Sequence, residues 1–153
     1  MLNVGELAPD FELPDVHGVV HTLPEMLGRG PLLLAFFKIS CPVCQYTMPF
    51  LERISVNGRL HVYGVSQDEK QSTVGFLGRF GLNFPTLLDD ARHYAVSNAY
   101  KLTNVPTMYL VEKDNTITWA STGFHKKDLS DLGLRATTEI FRPDDRVPEW
   151  KPG

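Results

Sequence analysis

Two cysteines three positions apart, Cys41 and Cys44, follow closely on an apolar run, Pro31-Leu-Leu-Leu-Ala-Phe-Phe37, and they are the only cysteines in the chain. A run that is apolar at every position suits a central strand buried on both faces. The segment the cysteines open has apolar residues at helical spacing: Cys44, Met48 and Leu51. A strand feeding a helix in this way places the first sulfur where unpaired backbone N–H groups point. The positive end of the helix dipole then stabilises a thiolate. Residues three apart on a helix are neighbours, so the two sulfurs can close a short disulfide. Cys41, nearest the free N–H groups and solvent, reads as the attacking thiolate. Cys44, one turn in and shielded, reads as the resolving thiol. Pro42 presets the first helical turn and donates no N–H.

Composition narrows the rest. A length of 153 residues fits one domain with a proper core. A formal net charge of −3 argues against a nucleic-acid or anionic-membrane surface. No apolar stretch is long enough to cross a bilayer. The N-terminal residues lack the charged and apolar regions of a secretory signal, so a cytoplasmic protein is expected. In a reducing compartment a close cysteine pair reads as catalytic or metal-binding rather than structural. Zinc needs four ligands, and His17, His21, His61, His93 and His125 are scattered without ligand spacing. No metal or other cofactor is therefore expected.

Along the chain, Pro9, Pro14, Asp15 and Gly18 punctuate a lead-in that can form a hairpin around His17-Gly18. Residues 41–54 read as a helix bent by Pro49. Residues 60–65 read as a second strand. Asp68 is a candidate cap for a helix to Phe80, with Val74, Leu77 and Phe80 on one side. Residues 83–88 are short and extended, and Asp89 or Asp90 can cap a helix through Tyr100. Residues 107–111 and 117–121 alternate around the turn Lys113-Asp-Asn115. Residues 126–136 form a last amphipathic helix. From Phe141 the chain carries Pro143, Pro148 and Pro152 among charges, which reads as an extended strap with Trp150 unassigned. The domain expectation is thus 1–140 for the folded unit and 141–153 for a Pro-rich tail. The architecture implied is α/β, a mixed sheet flanked by helices.

These elements resemble the thioredoxin fold. More closely they resemble the redoxin branch that holds the TlpA-like thiol-disulfide oxidoreductases and the AhpC/TSA peroxiredoxins. The carriers are Gly5-Glu-Leu-Ala-Pro-Asp-Phe-Glu-Leu13, Phe36-Phe-Lys-Ile-Ser-Cys-Pro-Val-Cys44, Val105-Pro-Thr107 and Gly123-Phe-His-Lys-Lys-Asp-Leu129. The strand–helix material near residues 60–80 matches what redoxins insert into a plain thioredoxin. The resemblance implies a cis proline at Pro106. Its loop, Val105, Pro106 and Thr107 together with Pro42, would receive an extended substrate peptide by edge pairing. It implies protein disulfide or dithiol substrates and an upstream redox partner, and leaves the oligomeric state open. The family's buried Asp before the first cysteine is Ala35 here, and the Glu after the second is Thr47. Lys38, three residues before Cys41, is a candidate local charge.

Two rival readings stand beside this one. In a peroxiredoxin the reactive cysteine aligns with Cys44, with Cys41 as its resolving partner. The peroxide-orienting Thr of that family is replaced by Cys41, and no Arg lies in Asn104-Val-Pro-Thr107. The other rival is an interaction module that keeps the fold and uses its tail.

Overall fold

The computed structural model describes residues 1–153. The run at 32–37 becomes strand β3 (Leu32–Phe37), fully buried, at the centre of a five-stranded sheet. Its alternation sorts side chains between two cores. Leu33, Ala35 and Phe37 face one cluster, with Met48, Leu51, Phe76, Leu129 and Leu132. Leu32, Leu34 and Phe36 face the other, with Phe11, Leu23, Leu87 and Tyr100. A strand covered on both faces must be apolar throughout, which is why the run has no polar break.

Strand β4 (His61–Ser66) lies parallel to β3, and β5 (Thr86–Leu88) lies parallel to β4. On the other side β6 (Thr107–Val111) and β7 (Ile117–Thr122) are antiparallel, giving the order β5-β4-β3-β6-β7. Helices α2 (Pro42–Asn57), α3 (Lys70–Phe80) and α5 (Lys126–Arg135) send side chains into the first core. Helices α1 (Leu23–Leu27) and α4 (Ala95–Ala99) do so into the second. This is the thioredoxin fold, a mixed sheet flanked by helices.

The lead-in forms the expected hairpin, β1 (Glu12–Pro14) with β2 (Val20–Thr22). Asp15 closes its turn by accepting from the His17 and Val19 N–H groups at 2.8 and 3.0 Å and pairing with His21 at 2.8 Å. Helix α1 was not anticipated. Thr22 caps it, accepting from the Glu25 N–H at 3.4 Å.

Two helix expectations need correction. Asp68 does not cap α3, whose N-cap is Glu69 without a side-chain bond. The fully buried residues of α3 are Thr73 and Phe76; Leu77 and Phe80 pack partly buried against the first core, and only Val74 of the expected stripe is exposed. The helix expected from Asp89 to Tyr100 shrinks to α4. Asp90 draws Arg92 and His93 into a turn, and Tyr94 takes φ 51. Asp89 still supplies the cap from a distance, accepting from the Val96 and Ser97 N–H groups at 3.1 and 2.8 Å.

The last residues are not loose from the body. Arg53 donates to Asp145 at 2.6 and 3.2 Å and to the Ile140 carbonyl at 2.8 Å. Those donors hold the Asp145 carboxyl down at about 2. Phe141 and Val147 pack on the first core. Strand β9 (Trp150–Lys151) then pairs antiparallel with β8 (Phe124–His125).

Candidate active site

Strand β3 ends at Phe37, and a turn over Lys38–Ser40 delivers the chain to α2. Two side chains fix that turn. Asp68, at the end of the neighbouring parallel strand, accepts from the Ile39 N–H at 2.8 Å. Gln45 donates to the Ile39 carbonyl at 2.9 Å. Cys41 is itself the N-cap of α2, with extended backbone at φ −86 and ψ 113. Its sulfur accepts from the Cys44 N–H at 3.1 Å, in the position that a serine or aspartate oxygen takes in an ordinary cap. Negative charge on that sulfur faces both this N–H and the positive end of a helix of 16 residues.

Cys44 is fully buried and Cys41 partly exposed, and the two sulfurs are unbridged. Burial first, and then contact with the Cys41 sulfur, push the Cys44 thiol well above its ordinary range. The two sulfurs thus differ sharply in exposure.

The Val105–Pro106 bond is cis. The Val105 carbonyl accepts from the Cys41 sulfur at 3.5 Å, so residues 64 positions apart meet at this sulfur. Pro106 and Thr107 are buried. The Thr107 hydroxyl donates to the Asn104 carbonyl at 2.8 Å and lies 3.0 Å from the Thr122 hydroxyl, so that side chain braces the loop and does not face solvent. The Gly123 N–H donates to the Pro106 carbonyl at 2.8 Å. Pro42 is exposed at the rim. Thus Cys41, Pro42 and Val105 lie at one surface, with Cys44 buried beneath it and Pro106 and Thr107 as its support. The Lys38 ammonium lies over the Tyr94 ring, 5.6 Å from its centroid.

Ala35 and Thr47, which stand where carboxylates occur in similar proteins, are both fully buried. The Thr47 hydroxyl has no hydrogen-bond partner. The carboxylate that does reach this region is Asp68, which the sequence reading took for a helix cap. Its signal was topological: β3 and β4 are parallel, so their C-terminal ends share one edge of the sheet, where sites form.

Comparison with known proteins agrees with this geometry. The model of the AhpC/TSA family matches residues 4–120. The thiol-disulfide oxidoreductase ResA of Geobacillus kaustophilus is 34% identical over 129 residues, which span 82% of this chain and 72% of that protein. The thioredoxin domain of a Bacteroides vulgatus thiol-disulfide oxidoreductase superposes with a TM-score of 0.77 at 20% identity, over 88% of this chain and 98% of that one. A peroxidoxin of Mycobacterium tuberculosis, BcpB, gives 0.73 at 20% identity, over 89% and 96%. At such identity the two structures speak to the fold alone. The family match and the ResA likeness go further, and the chain belongs to the AhpC/TSA family as a thioredoxin-like redoxin enzyme.

Proposed function

We propose that this enzyme exchanges disulfides with protein substrates through Cys41 and Cys44. The Cys41 thiolate attacks a substrate disulfide; a new S–S bond forms, the old one breaks, and the leaving sulfur departs as a thiolate that takes a proton from solvent. Cys44 then attacks the Cys41 sulfur of the mixed disulfide, and its proton passes through solvent to the departing substrate sulfur. The second substrate sulfur leaves reduced, and the Cys41–Cys44 bond closes. Two electrons pass from the cysteine pair to the substrate, and a dithiol redox partner returns them. The observation that carries this reading is the placement of the Cys41 sulfur, capping α2 and touching the Val105 carbonyl, above a buried Cys44. Val105 and its loop are the substrate's docking edge in this proposal. No helix is long and apolar enough to cross a membrane.

Peroxide reduction by Cys44 is the second reading, favoured by the fold shared with a peroxidoxin. Burial opposes it, because hydrogen peroxide must reach a peroxidatic sulfur and Cys44 is fully buried, whereas Cys41 is partly exposed. Stopped-flow mixing separates the two. The reduced protein should react with hydrogen peroxide at the rate of an unassisted thiol and reduce insulin disulfides catalytically. Fast, saturating peroxide oxidation that survives Cys41→Ser and vanishes in Cys44→Ser would establish the peroxidase and discard the exchange mechanism.

A further inference from the structure

The strap formed by the last residues reaches the docking edge itself. Gly123 has φ 74, and a Cβ there would lie 2.7 Å from the Lys151 carbonyl oxygen and 3.0 Å from the Gly153 nitrogen. Only a bare backbone admits the strap at this separation. A Cβ on Gly153 would in turn lie 2.5 Å from the Val105 carbonyl oxygen and 2.6 Å from the Asn104 side-chain nitrogen. That carbonyl is the one the Cys41 sulfur touches. The strap's end and the reactive sulfur therefore crowd the same acceptor.

The strap arrives there as a strand. Phe124 pairs with Lys151 and His125 with Trp150, antiparallel, and the Lys126 N–H donates to the Glu149 carbonyl at 2.9 Å. This is the geometry by which an extended peptide adds to a sheet edge. Its attachments weaken toward the tip. The root is held by the Arg53–Asp145 pair and by Phe141 and Val147 on the core. The tip is held by a two-residue ladder, the Lys151 ammonium 5.1 Å from the Tyr46 ring centroid, and Trp150 beside His125. Its ion pair, Lys126–Glu149 at 3.7 Å, is solvent-exposed and contributes little. Trp150 remains 56% exposed. Segments with few buried contacts are those that open locally.

We propose that residues 149–153 are an intramolecular stand-in for the substrate. Paired with Phe124–His125, they bring Gly153 against the Val105 carbonyl, where an extended, cysteine-bearing polypeptide docks, and they peel from Phe124–His125 before it does. The inference rests on the exchange reading above. Its consequence is selectivity: a small disulfide needs only the Cys41 sulfur, whereas a polypeptide must also displace the strap. A strap closed in about nine molecules of ten lowers the apparent affinity for polypeptide about tenfold.

The test uses the full chain with Trp150→Ala and Lys151→Ala combined. Two substrates are compared, a disulfide-linked dimer of a short unstructured peptide and bis(2-hydroxyethyl) disulfide. The variant should raise kcat/KM for the peptide by about three- to tenfold and leave the small disulfide unchanged. An unchanged or lower peptide rate, or an equal rise for both substrates, overturns the stand-in. Inability of the unaltered protein to reduce either substrate overturns the exchange reading instead. Hydrogen exchange gives a measurement independent of those substitutions. In Cys44→Ser trapped as a mixed disulfide with the peptide, the Lys126 and Lys151 amides should lose protection relative to the same protein trapped with 2-mercaptoethanol. Equal protection in both adducts overturns the proposal.

Discussion

Replacing Thr47 by Val should stabilise the protein. The Thr47 side chain is fully buried, one helical turn beyond Cys44, and its hydroxyl has no partner. A buried hydroxyl left unpaired costs roughly 1–3 kcal/mol relative to its state in water. Valine keeps the shape and the β-branching, so packing and helix propensity hardly change. The gain should therefore be about 1–3 kcal/mol. For a chain of this size that raises Tm by about 3–9 °C. Thr47→Ser keeps the hydroxyl and deletes a methyl, and should cost about 1 kcal/mol. The assay is urea unfolding of the reduced protein followed by circular dichroism, with equal m-values required of the three proteins. A Val variant no more stable than the parent would refute the reasoning, because it would mean the hydroxyl is satisfied in solution by water or by a carbonyl of α2.

Three further outcomes follow from the site. Cys44→Ser should accumulate mixed disulfides with protein substrates, seen as thiol-labile bands on gels, and Cys41→Ser almost none; equal trapping would mean the roles are not divided. Burial keeps the Cys44 thiol neutral in the folded protein, while the unfolded chain ionises near the reference value of 9.0. Its contribution to stability is therefore complete below that pH and declines above it, so Cys44→Ala should lose less stability than the parent between neutral and strongly alkaline pH. Asp68→Ala deprives the Ile39 N–H of its acceptor and should slow insulin reduction while costing about 1 kcal/mol of stability, whereas Asp68→Asn, which retains an acceptor, should lie close to the parent in both measurements.

Strand β3 and the helix after it were legible because their sequence signals are local and redundant. A six-residue run with every side chain apolar has few homes other than the centre of a sheet. A cysteine followed by proline at a strand-to-helix junction announces its own cap. What escaped was decided by distant partners. Asp68 lies where a helix begins and was read as its cap, but the Ile39 N–H competes for its carboxylate across 29 positions. Asp89 caps α4 over an intervening turn, which no spacing rule describes. Val74 fits a helical apolar stripe and is exposed, because periodicity identifies a face without saying what covers it. Helix α1 had a readable signal, the capping pair Thr22 and Glu25 around Pro24, hidden among the turn residues before it. The cysteines and the Val105–Pro106 loop were legible separately. That one carbonyl of the loop would lie against both the Cys41 sulfur and the strap was not, since three segments far apart in the chain converge there.

The 64 positions between Cys41 and Val105 are also an interval of time during synthesis. At about 5–20 residues per second, the ribosome adds Val105 some ~3–13 s after Cys41. Throughout that interval the nascent chain carries both cysteines without β6 or the loop that borders Cys41. The Cys41 sulfur meets the Val105 loop only when the antiparallel half of the sheet is made. A chain stalled before residue 105 would present two thiols without the loop that borders Cys41 in the finished fold.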